Sequence, residues 1–264
     1  MNHRPRKRFG QNFLHDPGII QRIVQVIDPK PGDNLVEIGP GQGAITQLLL
    51  QKVHRMHAVE LDRDLVGPLA SLCEPLGELL IHNTDALKFD FTQLAEAGRP
   101  LRIVGNLPYN ISTPLLFHLL DQSEQILDMH FMLQKEVVER MAAPHGSKTY
   151  GRLSVMLQAR AQVTSLFNIG PGAFNPPPKV DSAFVRLQPS HPPPYHIDDW
   201  TIFSQTVSHA FSQRRKTLRN SLKQIMPASA IEAAGIDPGI RVEQVSVADF
   251  ATLANAAAAA HHTA

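Results

Sequence analysis

The segment Val36-Glu37-Ile38-Gly39-Pro40-Gly41-Gln42-Gly43-Ala44 closes one apolar run and opens a helical pattern. Glycines placed there permit a tight turn at positive φ and let a ligand approach the main chain closely. Glu60 ends the next apolar run, where an acidic side chain can accept hydrogen bonds from ribose hydroxyls. Gly39, Gly41 and Ala44 also fit G-x-G-x-x-A, with Glu60 near the roughly 20-residue offset of a dinucleotide fingerprint. This stretch alone therefore admits NAD as well as S-adenosylmethionine. Two carboxylates favour the methyl donor. Glu37, just ahead of the glycines, would repel a pyrophosphate but can orient the cationic amino group of a methionine moiety. Asp85, in Asn83-Thr84-Asp85-Ala86, follows the third apolar run and can accept from an adenine amino group. Taken singly, Asp85 serves equally as a helix N-cap.

A second loop, Asn106-Leu107-Pro108-Tyr109, follows the fourth apolar run. Its composition suits an exocyclic adenine nitrogen, a poor nucleophile because its lone pair is delocalised into the ring. Two acceptors, the Asn106 side-chain oxygen and the Leu107 carbonyl, can hold the amine hydrogens and favour a pyramidal nitrogen. Pro108 stiffens the loop. Tyr109 can stack on a base that has left its helical stack. The same four residues, in isolation, also make an ordinary turn. No strong general base is required, because a methylated aminopurinium nitrogen loses its proton readily to water. Alignment for in-line transfer and electrostatics can carry the catalysis. Nothing in this chemistry calls for a metal.

These loops need a frame. The apolar runs are Asn34–Ile38, Met56–Leu61, Leu79–Ile81, Leu101–Gly105 and Leu127–Leu133. They alternate with helical patterns at Gln47–Val53, Leu65–Leu72 and Pro114–Leu120. Such alternation predicts buried parallel strands with helical crossovers, an α/β doubly wound, Rossmann-like sheet. Ligands gather at the carboxyl ends of such strands, which brings Asn106 toward Gly39 and Asp85. Lys135–Arg160 reads as two helices split at Pro144–Tyr150. Val163–Ile169 and Val180–Leu187 read as strands around the Pro/Gly-rich loop Gly170–Pro178, able to pair antiparallel at the end of the sheet. The sequence QPSHPPPY at Gln188–Tyr195 cannot be helix interior or central strand. The expected division is a sheet domain at 1–188 with a basic arm at 1–15, a linker at 189–197, and a small all-helical domain at 198–264. In the last, Asp198–Lys223, Ser229–Ala234 and Val247–Ala260 have helical spacing.

With 264 residues, the chain can bury a large core and carry a smaller appendage. No apolar run approaches the ~20 residues of a membrane helix, and no secretory signal follows the basic start. A single cysteine, Cys73, excludes an intrachain disulfide and a cysteine-rich zinc site, and fits a cytoplasmic setting. The net charge of +1 conceals two basic clusters. Arg4, Arg6, Lys7 and Arg8 form one; Arg214, Arg215, Lys216, Arg219 and Lys223 form the other. Such runs attract phosphate backbones or simply stay solvated.

Over nearly its whole length the chain resembles the bacterial small-subunit (16S) rRNA adenine N6,N6-dimethyltransferases of the KsgA/RsmA type. The resemblance rests on Lys7-Arg8-Phe9-Gly10-Gln11-Asn12-Phe13-Leu14, on Glu37 to Gly43, and on Glu60, Asp85 and Asn106 to Tyr109. It ends with Phe174-Asn175-Pro176-Pro177-Pro178-Lys179-Val180-Asp181-Ser182. It implies dimethylation of two adjacent adenosines in the terminal hairpin loop of that rRNA, on an immature small subunit late in assembly. Asn12 and Leu14 would join Glu37, Gly39, Gly41, Glu60, Asp85 and Asn106 around S-adenosylmethionine. Phe174 would stack on the target base opposite Tyr109, unless it is a hydrophobic plug of the proline loop. Arg214, Arg215, Lys216 and Arg219 of the helical domain would grip rRNA. A monomer is expected. The competing readings are a large-subunit rRNA methyltransferase of the macrolide-resistance type, a non-catalytic assembly factor, an NAD-linked oxidoreductase and a DNA adenine methyltransferase.

Overall fold

The computed structural model describes residues 11–213 and 216–262. In chain order the elements are β1 (Phe13–Leu14), α1 (Pro17–Ile27), β2 (Asn34–Ile38), α2 (Thr46–Val53), β3 (Arg55–Val59), α3 (Arg63–Cys73), β4 (Glu78–His82), β5 (Leu101–Asn106), α4 (Ser112–Leu120) and β6 (Ile126–Gln134). They continue with α5 (Lys135–Met141), α6 (Arg152–Gln158), β7 (Ala161–Ile169), β8 (Phe174–Asn175), β9 (Ser182–Pro189), α7 (Trp200–Ser212), α8 (Leu218–Ser221), α9 (Ala228–Ala233) and α10 (Val247–His262). The fold is the expected α/β doubly wound sheet, accompanied by a helical C-terminal region.

Seven strands form the main sheet in the order β4-β3-β2-β5-β6-β9-β7. The pairs β2–β3, β3–β4, β2–β5 and β5–β6 are parallel. β9 runs antiparallel to β6. The chain moves outward from β2 through β3 to β4, then returns to the far side of β2 as β5. Right-handed crossovers then send α2 and α3 to one face and α4 to the other. The reversal opens a crevice at the carboxyl ends of β2 and β5. β2 is buried at every position and β5 at every position except Asn106, as strands covered on both faces must be. Gly105 is required by this pairing: a Cβ there would lie 2.5 Å from the Ile38 carbonyl oxygen.

Two elements near the amino terminus were not read from the sequence. α1 is capped by Asp16, which accepts from Ile19 N at 2.9 Å, and Pro17 occupies its first turn. It buries Ile23, Val24 and Ile27 in a cluster with Leu35, Phe167 and Phe184. Its far end is held by the buried Arg102, which donates to the Ile27 carbonyl at 2.7 Å. The same guanidinium binds both oxygens of Asp128, at 3.0 and 2.8 Å, and Asp33 at 2.7 Å. β1, just before α1, pairs antiparallel with β8, with Phe13 opposite Asn175 and Leu14 opposite Phe174.

The chain divides into two compact units, Met1–Val138 with Thr164–Pro189, and Glu139–Val163 with Ser190–Ala264. The second differs from the expected 198–264 by taking in 139–163, the loop between α5 and α6 being bonded to it, and 190–197 of the expected linker. Tyr150 donates its hydroxyl to the Val245 carbonyl at 3.0 Å, and Gly146 N donates to the Glu243 carbonyl at 2.6 Å. The end of the expected linker is also fixed: Asn255 of α10 donates to the His196 carbonyl at 2.9 Å and accepts from Asp198 N at 3.0 Å. The helical stretch expected over Asp198–Lys223 is broken into α7 and α8.

Candidate active site

The carboxyl ends of β2, β3 and β4 are laced by main-chain bonds. Gly39 N donates to the Val59 carbonyl at 2.9 Å, and Glu60 N donates to the His82 carbonyl at 3.0 Å. Gly39 and Gly41 sit at φ 68° and 57°, which side-chain-bearing residues rarely adopt. Glu60 ties the glycine turn to the next strand. Its Oε2 accepts from Gly41 N at 3.1 Å, and its Oε1 accepts from Asp62 N at 2.7 Å. Burial raises the Glu60 carboxyl above the ordinary carboxylate range, although these N–H bonds pull it down.

Glu37 is 2 % exposed, and its Oε2 has no hydrogen-bond partner. Its pKa is pushed up to about 7, first by burial; the nearby Thr46 hydroxyl pulls the other way, and the Glu60 charge adds to the rise. A buried, unsatisfied carboxylate is costly unless a cation meets it. Asp85 uses Oδ1 to accept from Leu87 N at 3.0 Å, so it does cap a local turn, and it lines the cavity as well.

These groups surround one cavity of about 360 Å³ at the carboxyl ends of the strands. Glu37, Glu60 and Asp85 line it, and no lysine or arginine does among the described residues. Three acids without a base suit a cationic ligand bearing hydroxyl and amino donors. They do not suit the pyrophosphate of a dinucleotide. S-adenosylmethionine fits that donor set: an ammonium for Glu37, ribose hydroxyls for Glu60 and an adenine amine for Asp85.

Asn106, Leu107, Pro108 and Tyr109 line the same cavity. Asn106 donates its side-chain Nδ2 to the Asn12 carbonyl at 2.9 Å. Leu107 is anchored through its N–H to the Met132 carbonyl at 3.2 Å. Tyr109 is held at both ends: Ser112 Oγ donates to its carbonyl at 3.1 Å, and its hydroxyl lies 2.9 Å from Ser182 Oγ. A loop with fixed polar groups thus faces the acids across one crevice, the arrangement for transferring a small group to an amine.

A sequence profile of the family described as "Ribosomal RNA adenine dimethylase" matches residues 2–259. The chain belongs to this family. It is accordingly an enzyme, an rRNA adenine methyltransferase, and the oxidoreductase reading falls. Its relatives include a protein of Pseudomonas aeruginosa named "Ribosomal RNA small subunit methyltransferase A", 57% identical over 254 residues, covering 96% of this chain and 94% of that one. Among solved structures, a dimethyladenosine transferase from Plasmodium falciparum is similar at TM-score 0.80 and 26% identity, over 91% of this chain and 95% of that one. The 23S rRNA methyltransferase ErmE shares the fold at TM-score 0.74 and 24% identity, over 93% and 99% of the two chains.

The structure brings Asn12, Leu14, Glu37, Gly39, Gly41, Glu60, Asp85 and Asn106 to Tyr109 to one cavity. It does not bring Phe174 there. Phe174 is 3 % exposed and packs in the core with Leu14, Phe167 and Phe184. Its burial, with both side chains of the Leu14–Phe174 pair covered where β8 meets β1, is that of a hydrophobic plug; stacking on a target base remains a proposal. Lys216 and Arg219 are exposed on the second unit, where Thr217 bridges to Arg241 and Leu218 N donates to the Ile240 carbonyl at 2.8 Å. Arg214, Arg215 and the amino-terminal run Arg4, Arg6, Lys7 and Arg8 lie outside the described residues.

Other participants carried no individual role in the sequence reading. Gln11 donates to Asp62 Oδ2 at 3.0 Å, and a Cβ on Gly41 would meet the Phe13 ring at 3.1 Å, so 11–14 forms a strap over the donor loop. Leu61, half exposed, presents an apolar wall at the cavity. Ser182 was legible only as part of a motif; its bond to Tyr109 depends on tertiary placement.

Proposed function

We propose that this enzyme uses S-adenosylmethionine to dimethylate N6 of two adjacent adenosines in the 3′-terminal hairpin loop of small-subunit (16S) rRNA. It would act as a monomer in the cytoplasm, on an immature small subunit late in assembly. The observation that carries this reading is the single cavity on which the acids of the glycine loop and the Asn106–Tyr109 loop converge. The name of the Pseudomonas aeruginosa relative supports the small subunit over the large.

When bound, the donor supplies an electrophilic methyl on a positively charged sulfur. Glu37 meets its ammonium, Glu60 its ribose hydroxyls and Asp85 its adenine. On the acceptor side, Asn106 Oδ1 and the Leu107 carbonyl take the amine hydrogens and turn the nitrogen lone pair toward the crevice. Each transfer forms an N–C bond, breaks an S–C bond and leaves an acidic proton on nitrogen, which passes to solvent. Tyr109 stacks on the flipped base. Lys216 and Arg219 contact rRNA phosphates together with Arg214 and Arg215. Phe174 packs in the core with Leu14, which lines the cavity.

The reading is tested by offering labelled donor either with unmethylated small subunits or with isolated large-subunit rRNA or DNA. Label confined to the small subunit is expected. Label confined to large-subunit rRNA or DNA would reassign the substrate, and donor binding without transfer to either would favour a purely structural role.

A further inference from the structure

The Tyr109 side chain carries a hydroxyl that stacking does not need. That hydroxyl lies 2.9 Å from Ser182 Oγ, across 73 residues of sequence. Ser182 is fully buried at the first position of β9, opposite Gln134 of β6. The turn before it is pinned by Lys135 N donating to the Asp181 carbonyl at 2.9 Å. The anchor therefore belongs to the sheet and not to the mobile end of a loop. With Ser112 holding the Tyr109 carbonyl, the ring is fixed at its root and at its tip. Burial raises the phenol pKa above its ordinary value, so the hydroxyl is neutral at working pH and available for this bond.

The two methyl transfers make unequal demands on that ring. In the first, the amine has two hydrogens for two acceptors, Asn106 Oδ1 and the Leu107 carbonyl. After it, one hydrogen has been replaced by a methyl, and one of those bonds is gone. Alignment of the base in the second transfer then depends more on the stacked ring.

We propose that Ser182 is a positioning residue for the second methyl transfer: by holding the Tyr109 hydroxyl it fixes the stacking face when the monomethylated amine has lost one of its two anchors. This rests on the stacking role assigned to Tyr109 above.

The test uses the full enzyme with unmethylated small subunits, reading N6-monomethyl- against dimethyladenosine over time, with donor affinity measured by calorimetry. Ser182→Ala and Tyr109→Phe are each expected to slow the second transfer about fivefold to tenfold, the effect of one lost neutral hydrogen bond. The first transfer should change less, monomethyladenosine should accumulate, and donor affinity should stay at the wild-type value. The double variant should be no worse than either single one, since both remove the same bond. Additive effects, or a wild-type product ratio in Tyr109→Phe, would overturn the proposal; the latter decides even if Ser182→Ala does not fold. Tyr109→Ala separates the two levels. Impaired transfer in it, with normal product ratios in Ser182→Ala and Tyr109→Phe, overturns the tether alone. Normal transfer in it overturns the stacking role and the tether together.

Discussion

The side-chain amide of Asn106 donates to the main-chain carbonyl of Asn12, 94 residues earlier, at 2.9 Å. A carbonyl only accepts, so the amino end of the amide is committed to Asn12 and the oxygen end is left for the substrate. The strap at 11–14 thus sets the orientation of the group proposed to receive the amine hydrogen.

Asn106→Ala should lower turnover by about a hundredfold or more, the scale of losing a positioned polar group, while keeping most of the donor affinity. Asn106→Asp should fare as badly, because a carboxylate would face the Asn12 carbonyl. Steady-state kinetics with calorimetry of donor binding checks both. Unchanged turnover in either variant would remove Asn106 from the chemistry.

Glu60→Gln should weaken donor binding by at least about tenfold. The amide's NH₂ end would meet either Gly41 N or Asp62 N, both donors, so one of these two bonds is lost together with an acceptor for ribose. Calorimetric titration with S-adenosylmethionine reads this directly.

Glu37 gives a pH signature. Its carboxyl titrates at about 7 in the free protein, and an ammonium favours the ionised form. Donor affinity should therefore rise from pH 6 to pH 8, with proton release on binding, seen by calorimetry in buffers of different ionisation enthalpy. Stability carries the opposite sign. Between the ordinary value of 4.5 and about 7, the native state holds a proton that the unfolded chain has released, so stability through this group falls as pH rises. The penalty is absent below that window and complete above it, on the order of 3 kcal/mol at most. Glu37→Gln should accordingly be more stable than the parent at pH 8 in thermal melts, yet bind donor more weakly.

The sheet and the donor acids were legible because each rests on a local pattern. Apolar runs of strand length, glycines after β2, and acids at the ends of β3 and β4 all repeat within a few residues of one another. Asn106 to Tyr109 could be placed because strand ends in such a sheet face one crevice. Phe174 was less legible: an aromatic in a proline-rich loop can point inward or outward, and here it packs in the core beside Leu14. α1 has a local start signal of ordinary form in Asp16-Pro17, followed by an apolar stripe at Ile23, Val24 and Ile27. The Asn12–Asn106 and Tyr109–Ser182 bonds had no local signal at all.

Arg102→Leu separates scaffold from site. Removing the guanidinium strands the buried Asp128 and uncaps α1, at a cost of about 3–5 kcal/mol in denaturant unfolding. Donor affinity of the folded fraction should be unchanged, since Arg102 does not line the cavity.

Lys216→Ala combined with Arg219→Ala should weaken small-subunit binding and flatten its salt dependence by roughly 0.7–0.9 in log–log slope per lost phosphate contact. An unchanged slope would mean that these charges face solvent.

The most direct measurement is mass-spectrometric mapping of nucleosides after incubating the protein with labelled S-adenosylmethionine and unmethylated small ribosomal subunits. N6,N6-dimethyladenosine at two adjacent positions near the 3′ end of the rRNA is the predicted result. Methylation at a single site elsewhere, or none in the small subunit, would contradict it.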